Sequence, residues 1–514
     1  MELLREYIAS LRDKRSYGAG TQETSYYPCL VNLLDGVGAS LKPKVGCLSI
    51  LQNTGAGNPD GGLFDKNQMQ KGSQEPRAGQ VPSRGVIEVK STKDDAWFTA
   101  DTPQVSKYWM HYGQVLVTNY RDFLLVGKTA DGRPAKLESF RLAPGEQAFW
   151  QNPIKSLVDA HGERFIEFLT RVLLHPVPLQ EPKDVAWFLA SYARDARARV
   201  KAAEPEGATT AGANPSPLAP LRHALEGSLG LTFKGEKGDH FFHSTLVQTL
   251  FYGVFSAWVL WHKEDPARTG RFSWKAAEWT LHVPMIRALF EQVARPSALG
   301  PLGLVEVLDW TEAVLNRVDR PAFFARFQDA EAVQYFYEPF LEAFDPELRK
   351  ELGVWYTPPE VVKYMVARVD AVLKSELGLA DGLADERVVV LDPCCGTGAY
   401  LVEVLRHIHA TLTKNEGAAL AARAVREAAS TRVFGFEILP APFVVSHLQI
   451  GLVLQGIGAP FLEDQNERAG VFLTNALTGW EPPKEPKTHL PFPELEAERD
   501  AADRVKRDAP ILVI

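Results

Sequence analysis

The chain has 514 residues, 45 % hydrophobic and 23 % charged, a balance that excludes an intrinsically disordered protein and is long enough for about three domains. Its opening, MELLREYIASLRDKRSYG, is charged and amphipathic rather than a signal peptide, and no apolar run reaches the roughly 18 residues of a spanning helix. Four cysteines are too few and too poorly spaced for a disulfide framework or a four-ligand zinc site, so a cytoplasmic, reducing setting and no membrane partner are expected; the net charge of −8 does not itself point to nucleic acid.

From about residue 20 to 175 helical and strand-like runs alternate, with a helix at Pro28 to Leu34 and β-rich pieces at Arg84 to Val89 and Gln114 to Thr118. This pattern predicts a mixed α/β domain over 1–180. Between these elements Gly55 to Ser83, rich in Gly, Pro, Asn and Gln, reads as a long loop or hairpin region rather than a core element. Two more helical stretches lead to PEGATTAGANPSP, 205–217, whose composition is that of a linker. Beyond it Phe241, Leu246, Leu250, Phe251 and Trp258 recur at helical spacing, which predicts an α-helical connector over 181–350. From about 351 the order becomes helix, strand RVVVL, Gly-rich turn, two helices, strand RVFGFE, helix and strand VFLTN. Strands alternating with helices imply a parallel sheet, so a Rossmann-like third domain is expected over 351–514.

The sharpest motif is DPCCGTG, Asp392 to Gly398, directly after the apolar strand Val388 to Leu391 and directly before a helix opening at Ala399. Gly396 and Gly398 allow a tight turn and a close backbone approach to a ligand at the carboxyl end of a parallel strand, with Asp392 and Pro393 at that strand's tip. Glu437 ends the next strand, where an acidic side chain can accept both ribose hydroxyls of a nucleoside. Its separation from Asp392 exceeds the usual ~20 residues, and the extra length is a second helix, Ala418 to Ala429.

With these residues the stretch from about 310 to 514 resembles the adenine-specific DNA methyltransferases of bacterial restriction-modification systems, in the subgroup whose cofactor motifs precede the catalytic one. GVWYTPPEVVKYMV, Gly353 to Val366, looks like that family's upstream motif, whose Tyr-Thr-Pro segment closes over the methionine part of S-adenosyl-L-methionine; Tyr356, Thr357 and Pro358 match it. The same residues also read as a helix start, with Thr357 as N-cap and Pro358 at the first helical position. VFLTNAL, 471–477, resembles the third motif and implies that Asn475 lies near the cofactor's adenine. The family's catalytic Asn-Pro-Pro-Tyr should follow a strand such as ILVI, but the chain stops at Ile514. The expectation is therefore a fragment with an incomplete sheet, lacking the catalytic motif and the target-recognition domain, that binds cofactor without transferring methyl.

A second chemistry is suggested near the N-terminus, where Pro59-Asp60 is followed 28 residues after Asp60 by Glu88-Val89-Lys90. This resembles the PD-(D/E)xK nuclease core. Glu88 and Lys90 project from one face of a strand, and the resemblance implies that Asp60 and Glu88 ligate a divalent metal, Mg2+ by its preference for carboxylate oxygens and water. Glu23, expected on the preceding helix, is the additional acidic residue such nucleases carry. Gln104 and Tyr108, one helical turn apart, resemble the Gln-x-x-x-Tyr helix of the RecB-like branch.

The order nuclease, helical connector, methyltransferase resembles single-chain restriction-modification enzymes, implying an endonuclease and a methyltransferase acting on double-stranded DNA. No Gly-x-x-x-x-Gly-Lys-Ser/Thr loop is found, so no motor is expected. In the connector the stripe Tyr335, Phe336, Tyr337 and Phe340 reads as core. Two alternatives stay open: an RNA or small-molecule methyltransferase, and a non-catalytic cofactor-binding half that works with a separate subunit or a downstream-encoded remainder.

Overall fold

The computed structural model describes the chain apart from residues 19–22, 52, 54, 71–74, 78, 129–132, 205–217, 277–282, 296–299, 328–335, 348–356, 463–466, 482–488, 491, 510 and 514. The stretch 205–217 and Tyr335 thus lie outside the described residues. The chain divides into two compact units, Met1–Leu179 and Gln180–Ile514.

The first unit opens with α1 (Glu2–Ser16), whose Leu4, Tyr7, Ile8 and Leu11 are buried at helical spacing. Helix α2 (Tyr27–Gly38) follows, with Pro28 in its first turn, where a missing N–H costs nothing. A six-stranded sheet then runs in sequence order. Its strands are β1 (Val45–Ser49), β2 (Gly61–Asp65), β3 (Val86–Val89), β4 (Val115–Thr118), β5 (Asp122–Lys128) and β6 (Pro134–Arg141). All neighbours are antiparallel except β3 and β4, which are parallel and joined through α3 (Ala96–Ala100) and α4 (Pro103–Tyr112). The unit closes with α5 (Glu146–Gln151) and α6 (Ile154–Leu174).

Both faces of the central strands are covered. Ile87, Val89 and Leu116 pack with Leu30 and Phe165 on one side, while Val86, Val115 and Val117 pack with Val105 and Tyr108 of α4 on the other. The period of two along β3 therefore sends Glu88 to the α4 side, together with Val86.

Gly55 to Ser83 is not only loop. Gly61–Asp65 forms β2 inside the sheet, with four of its five residues buried. Its glycines are what obscured it, since they lack β propensity but are required by close packing. A Cβ on Gly61 would stand 3.2 Å from both Leu48 O and the Ile87 side chain.

The second unit begins with helices α7 (Pro182–Ala203), α8 (Ala219–Leu229) and α9 (Gly235–Glu264). Residues 242–259 of α9 are buried on every side, as an all-round apolar helix must be. Next come α10 (Pro284–Ala294), α11 (Leu304–Leu315), α12 (Arg320–Arg326) and α13 (Glu338–Phe344). Phe336, Tyr337 and Phe340 are buried against Tyr252 and Phe255 of α9, so this part of the aromatic stripe is core.

After α14 (Pro359–Ser375) the parallel sheet is built from β7 (Val389–Asp392), α15 (Ala399–Glu416), α16 (Ala418–Thr431), β8 (Val433–Glu437), α17 (Pro440–Gly456) and β9 (Val471–Leu473). Helix α18 (Pro493–Asp508) leads to β10 (Ile511–Val513). The spatial order is β10-β7-β8-β9, all pairs parallel, so the carboxyl ends of four strands share one edge. Because α17 packs on α9, the helices and this sheet form a single compact unit. No described helix is long and apolar enough to cross a membrane.

Candidate functional site

At the carboxyl edge of the parallel sheet, β7 ends on Asp392 and the chain turns through Pro393 to Gly398 into α15. Gly396 and Gly398 have φ of +55° and +88°, the left-handed region open to glycine. A Cβ on Gly398 would stand 3.0 Å from the Ser446 Cβ, whereas one on Gly396 would meet nothing within 4 Å. The loop is thus seated tightly at Gly398 and open at Gly396.

Hydrogen bonds from N–H donors hold this loop, one of them from Gly398 N to Cys395 O at 2.8 Å. Cys395 N donates to Phe436 O at 2.9 Å, Cys394 N to Asp392 Oδ1 at 3.1 Å, Gln449 Nε2 to Thr397 O at 2.6 Å, and Gly396 N to Glu437 Oε2 at 2.8 Å. Glu437 also accepts, through Oε1, the N–H groups of Ile438 and Leu439, each at 2.8 Å. Asp392 and Glu437 are 6 % and 8 % exposed. Burial pushes the Asp392 carboxyl up to about 6, against the opposing pull of the Cys394 N–H. Burial also raises Glu437, opposed by its three backbone donors and aided by the charge of Asp392.

On the neighbouring strand tip Thr474 N donates to Glu437 O at 2.8 Å, which sets Asn475 beside the acidic end of β8. The Asn475 side chain is already engaged: Nδ2 donates to Leu229 O at 3.2 Å and Oδ1 accepts from Leu477 N at 2.9 Å. Tyr356 lies outside the described residues. Thr357 is half-buried and Pro358 exposed, and the helix start differs by one residue from the expectation: Pro358 is the N-cap of α14 and Pro359 takes the first helical position. Either proline suits N1, and the structure uses the second. Gln449 and Ser446, both from α17, carry no motif and were invisible to sequence reasoning.

In the first unit a second polar group gathers around β3. Tyr27 Oη donates to Asp60 Oδ1 at 2.6 Å and Val89 N to Asp60 Oδ2 at 2.8 Å, fixing Asp60 just before β2. Lys90 Nζ stands 2.6 Å from Glu88 Oε1, and Gln104 Nε2 bridges Glu88 Oε2 at 3.4 Å and the Tyr108 hydroxyl at 3.0 Å. Glu88 is 2 % exposed. Its carboxyl is raised by burial, opposed by Lys90 and reinforced by the charges of Asp60 and Glu23. Burial pulls the Lys90 ammonium down, but Glu88, Asp60 and Glu23 outweigh it and the net shift is upward.

Glu23 is not on a helix. It precedes a short 3-10 turn, Thr24–Tyr26, and its carbonyl accepts the Tyr120 hydroxyl. Its half-buried carboxyl is raised by burial, with Lys90 pulling down and Asp60 and Asp94 pushing up. Tyr27 was missed from the sequence; burial, then its bond to Asp60, raises its hydroxyl well above the usual range. Among the described residues no cluster of three or more His, Cys, Asp or Glu side chains forms a metal centre. Asp60 and Glu88 each keep lone pairs beyond the contacts named, so the two carboxylates can serve a cation that retains much of its water.

No curated protein matches the sequence. Among solved structures the chain is similar to the DrdV–DNA complex seen by cryo-electron microscopy, at 17 % identity and TM-score 0.42, covering 100 % of this chain and 43 % of that one. It is similar to the ATP-dependent Type ISP restriction-modification enzyme LlaBIII bound to DNA, at 16 % identity and TM-score 0.44, covering 64 % of this chain and 20 % of that one. A nuclease-deletion mutant of the Type ISP enzyme LlaGI with a DNA substrate mimic gives 16 % identity and TM-score 0.39, with 72 % of this chain and 27 % of that one covered. The chain thus spans less than half the length of each of these proteins. Residues 328–466, which include Asp392 to Gly398 and Glu437, match the family described as N-6 DNA Methylase, a family that uses S-adenosyl-L-methionine.

Proposed function

We propose that residues 351–514 form the donor-binding part of an adenine-specific DNA methyltransferase belonging to a restriction-modification enzyme, joined through a helical connector over 181–350 to a metal-dependent DNA endonuclease over 1–180. The observation that carries the methyltransferase reading is the coupling of the Asp392–Gly398 loop to Glu437 inside the stretch that matches the N-6 DNA Methylase family. The opening at Gly396 suits a bulky cationic nucleoside, and the buried carboxylates at both strand tips suit its charge and its ribose hydroxyls. Glu437 has accepting capacity left on Oε2, Asp392 has it on Oδ2, and Gly396 admits close backbone approach. Tyr356, Thr357 and Pro358 would close over the methionine end. When bound, S-adenosyl-L-methionine supplies an electrophilic methyl group; the chain's own residues bind and orient it.

Titration calorimetry of S-adenosyl-L-methionine into the purified chain tests this reading. Binding that both Asp392→Ala and Glu437→Ala weaken supports it, and a folded wild-type chain that takes up no heat overturns it.

The endonuclease reading is supported by the grouping of Glu23, Asp60, Glu88, Lys90, Gln104 and Tyr108 around β3. Asp60 and Glu88 would hold Mg2+, which would activate water, with Lys90 orienting that water or stabilising the phosphate charge. Cleavage of double-stranded DNA that needs Mg2+ and disappears in Asp60→Ala is the corresponding test.

A further inference from the structure

Helix α18 packs along β9, and three of its charged side chains are buried, Glu498 at 3 %, Asp503 at 6 % and Lys506 at 4 % exposure. Burying charges on a polar helix is costly unless each is partnered, and all three are. Glu498 receives the Arg468 guanidinium at 2.7 and 2.9 Å, and its Oε1 also accepts the backbone N–H of Leu473 at 3.1 Å. Lys506 Nζ donates to Thr474 Oγ1 at 2.8 Å and to Asn475 O at 2.9 Å. Asp503 lies 3.6 Å away to balance it, and the ammonium stands 5.0 Å over the Phe436 ring. Three consecutive residues at the tip of β9 are therefore pinned by side chains from one helix.

That tip is next to the donor site. Thr474 N bonds to Glu437 O, so the turn Thr474–Asn475 stands one strand spacing, about 4.8 Å, from the acidic end of β8. On the opposite flank of Glu437 the strand tip is filled by the Asp392–Gly398 loop. A nucleoside whose ribose is held at Glu437 can extend its base only over Thr474–Asn475. The Asn475 side chain is tied to Leu229 and Leu477, and its carbonyl accepts Thr478 N at 3.3 Å and Thr478 Oγ1 at 3.2 Å besides Lys506, so the base edge meets a turn whose backbone position these bonds fix.

We propose that Lys506, assisted by Glu498, is a positioning residue for base selection: it fixes the Thr474–Asn475 backbone where it recognises a 6-aminopurine. The proposal rests on the reading that the Asp392–Glu437 site takes S-adenosyl-L-methionine.

The test uses titration calorimetry on the full chain with S-adenosylhomocysteine and with S-inosylhomocysteine, which carries an oxygen in place of the 6-amino group. The wild type is expected to favour the adenosyl ligand. Lys506→Met is expected to lose about tenfold of that affinity, the size of one charge-assisted hydrogen bond, with little change for the inosyl ligand. Lys506→Arg should restore part of the preference, and Glu498→Gln should reduce it. If Lys506→Met does not fold by circular dichroism, the last two variants carry the comparison. Equal weakening of both ligands, or no change in either, overturns the positioning role, as does a wild type that does not discriminate. A folded wild type that binds neither ligand overturns the donor-site reading itself and the proposal with it.

Discussion

Gly396 donates its backbone N–H to Glu437 Oε2 at 2.8 Å, so the glycine loop after β7 and the acidic end of β8 are one hydrogen-bonded unit. A change at either residue is felt at both.

Glu437→Gln follows from this directly. The carboxylate accepts three N–H groups, from Gly396, Ile438 and Leu439, while an amide must turn its own NH2 toward at least one of them. The variant should lose about 1–3 kcal/mol of stability, the cost of an unsatisfied buried donor. Denaturant unfolding checks this, and calorimetry should show weaker binding of S-adenosyl-L-methionine.

Asp392→Asn should move stability in the other direction. Burial raises the Asp392 carboxyl from 3.8 to about 6, so the folded chain holds that proton more tightly than the unfolded chain does. The native state therefore loses stability as pH rises through that window, and the loss is complete above it. An asparagine can keep the bond from Cys394 N and removes the buried charge. At pH 8 the variant should be more stable by on the order of 2 kcal/mol, with no gain near pH 4. Melting curves across that range decide it, and a variant that gains nothing at pH 8 contradicts the assignment.

Gly435→Ala is expected to disturb the donor loop from below. Its Cβ would stand 2.6 Å from Leu401 Cδ1 and 2.9 Å from Cys395 Sγ, so the Leu401 and Cys395 side chains under the loop must shift. Overpacking of this kind costs about 1–3 kcal/mol. A lowered Tm together with weakened donor binding is the expected pair of results.

In the first unit Tyr27→Phe removes the hydroxyl that orients Asp60 at 2.6 Å. Stability should fall by about 1 kcal/mol, one hydrogen bond's worth. Magnesium-dependent cleavage should drop partially, whereas Asp60→Ala and Lys90→Ala should abolish it. All three should leave donor affinity unchanged, and loss of both activities together would indicate misfolding instead.

The parallel sheet was legible because its signals are local. Apolar runs ending in Asp392 and Glu437, glycines after the first and helices between them specify strand, turn and helix from neighbours alone. Strand β2 was not legible: Gly61 and Gly62 say loop to any propensity argument, and it is close packing that explains them, against Leu48 and Ile87 at Gly61 and against Leu51 and Pro82 at Gly62. Glu23 shows a similar failure, since nothing near it in sequence separates a helix from a turn.

The chain's sequence by itself determined the order and type of the elements around the donor loop and which acidic residues end its strands, because side-chain periodicity is written residue by residue. Tertiary structure alone decided that Tyr27 meets Asp60, that Gln449 holds Thr397 and that Lys506 reaches Asn475. These bonds require atoms within about 3 Å of each other, and no local pattern encodes a distance between residues so far apart along the chain.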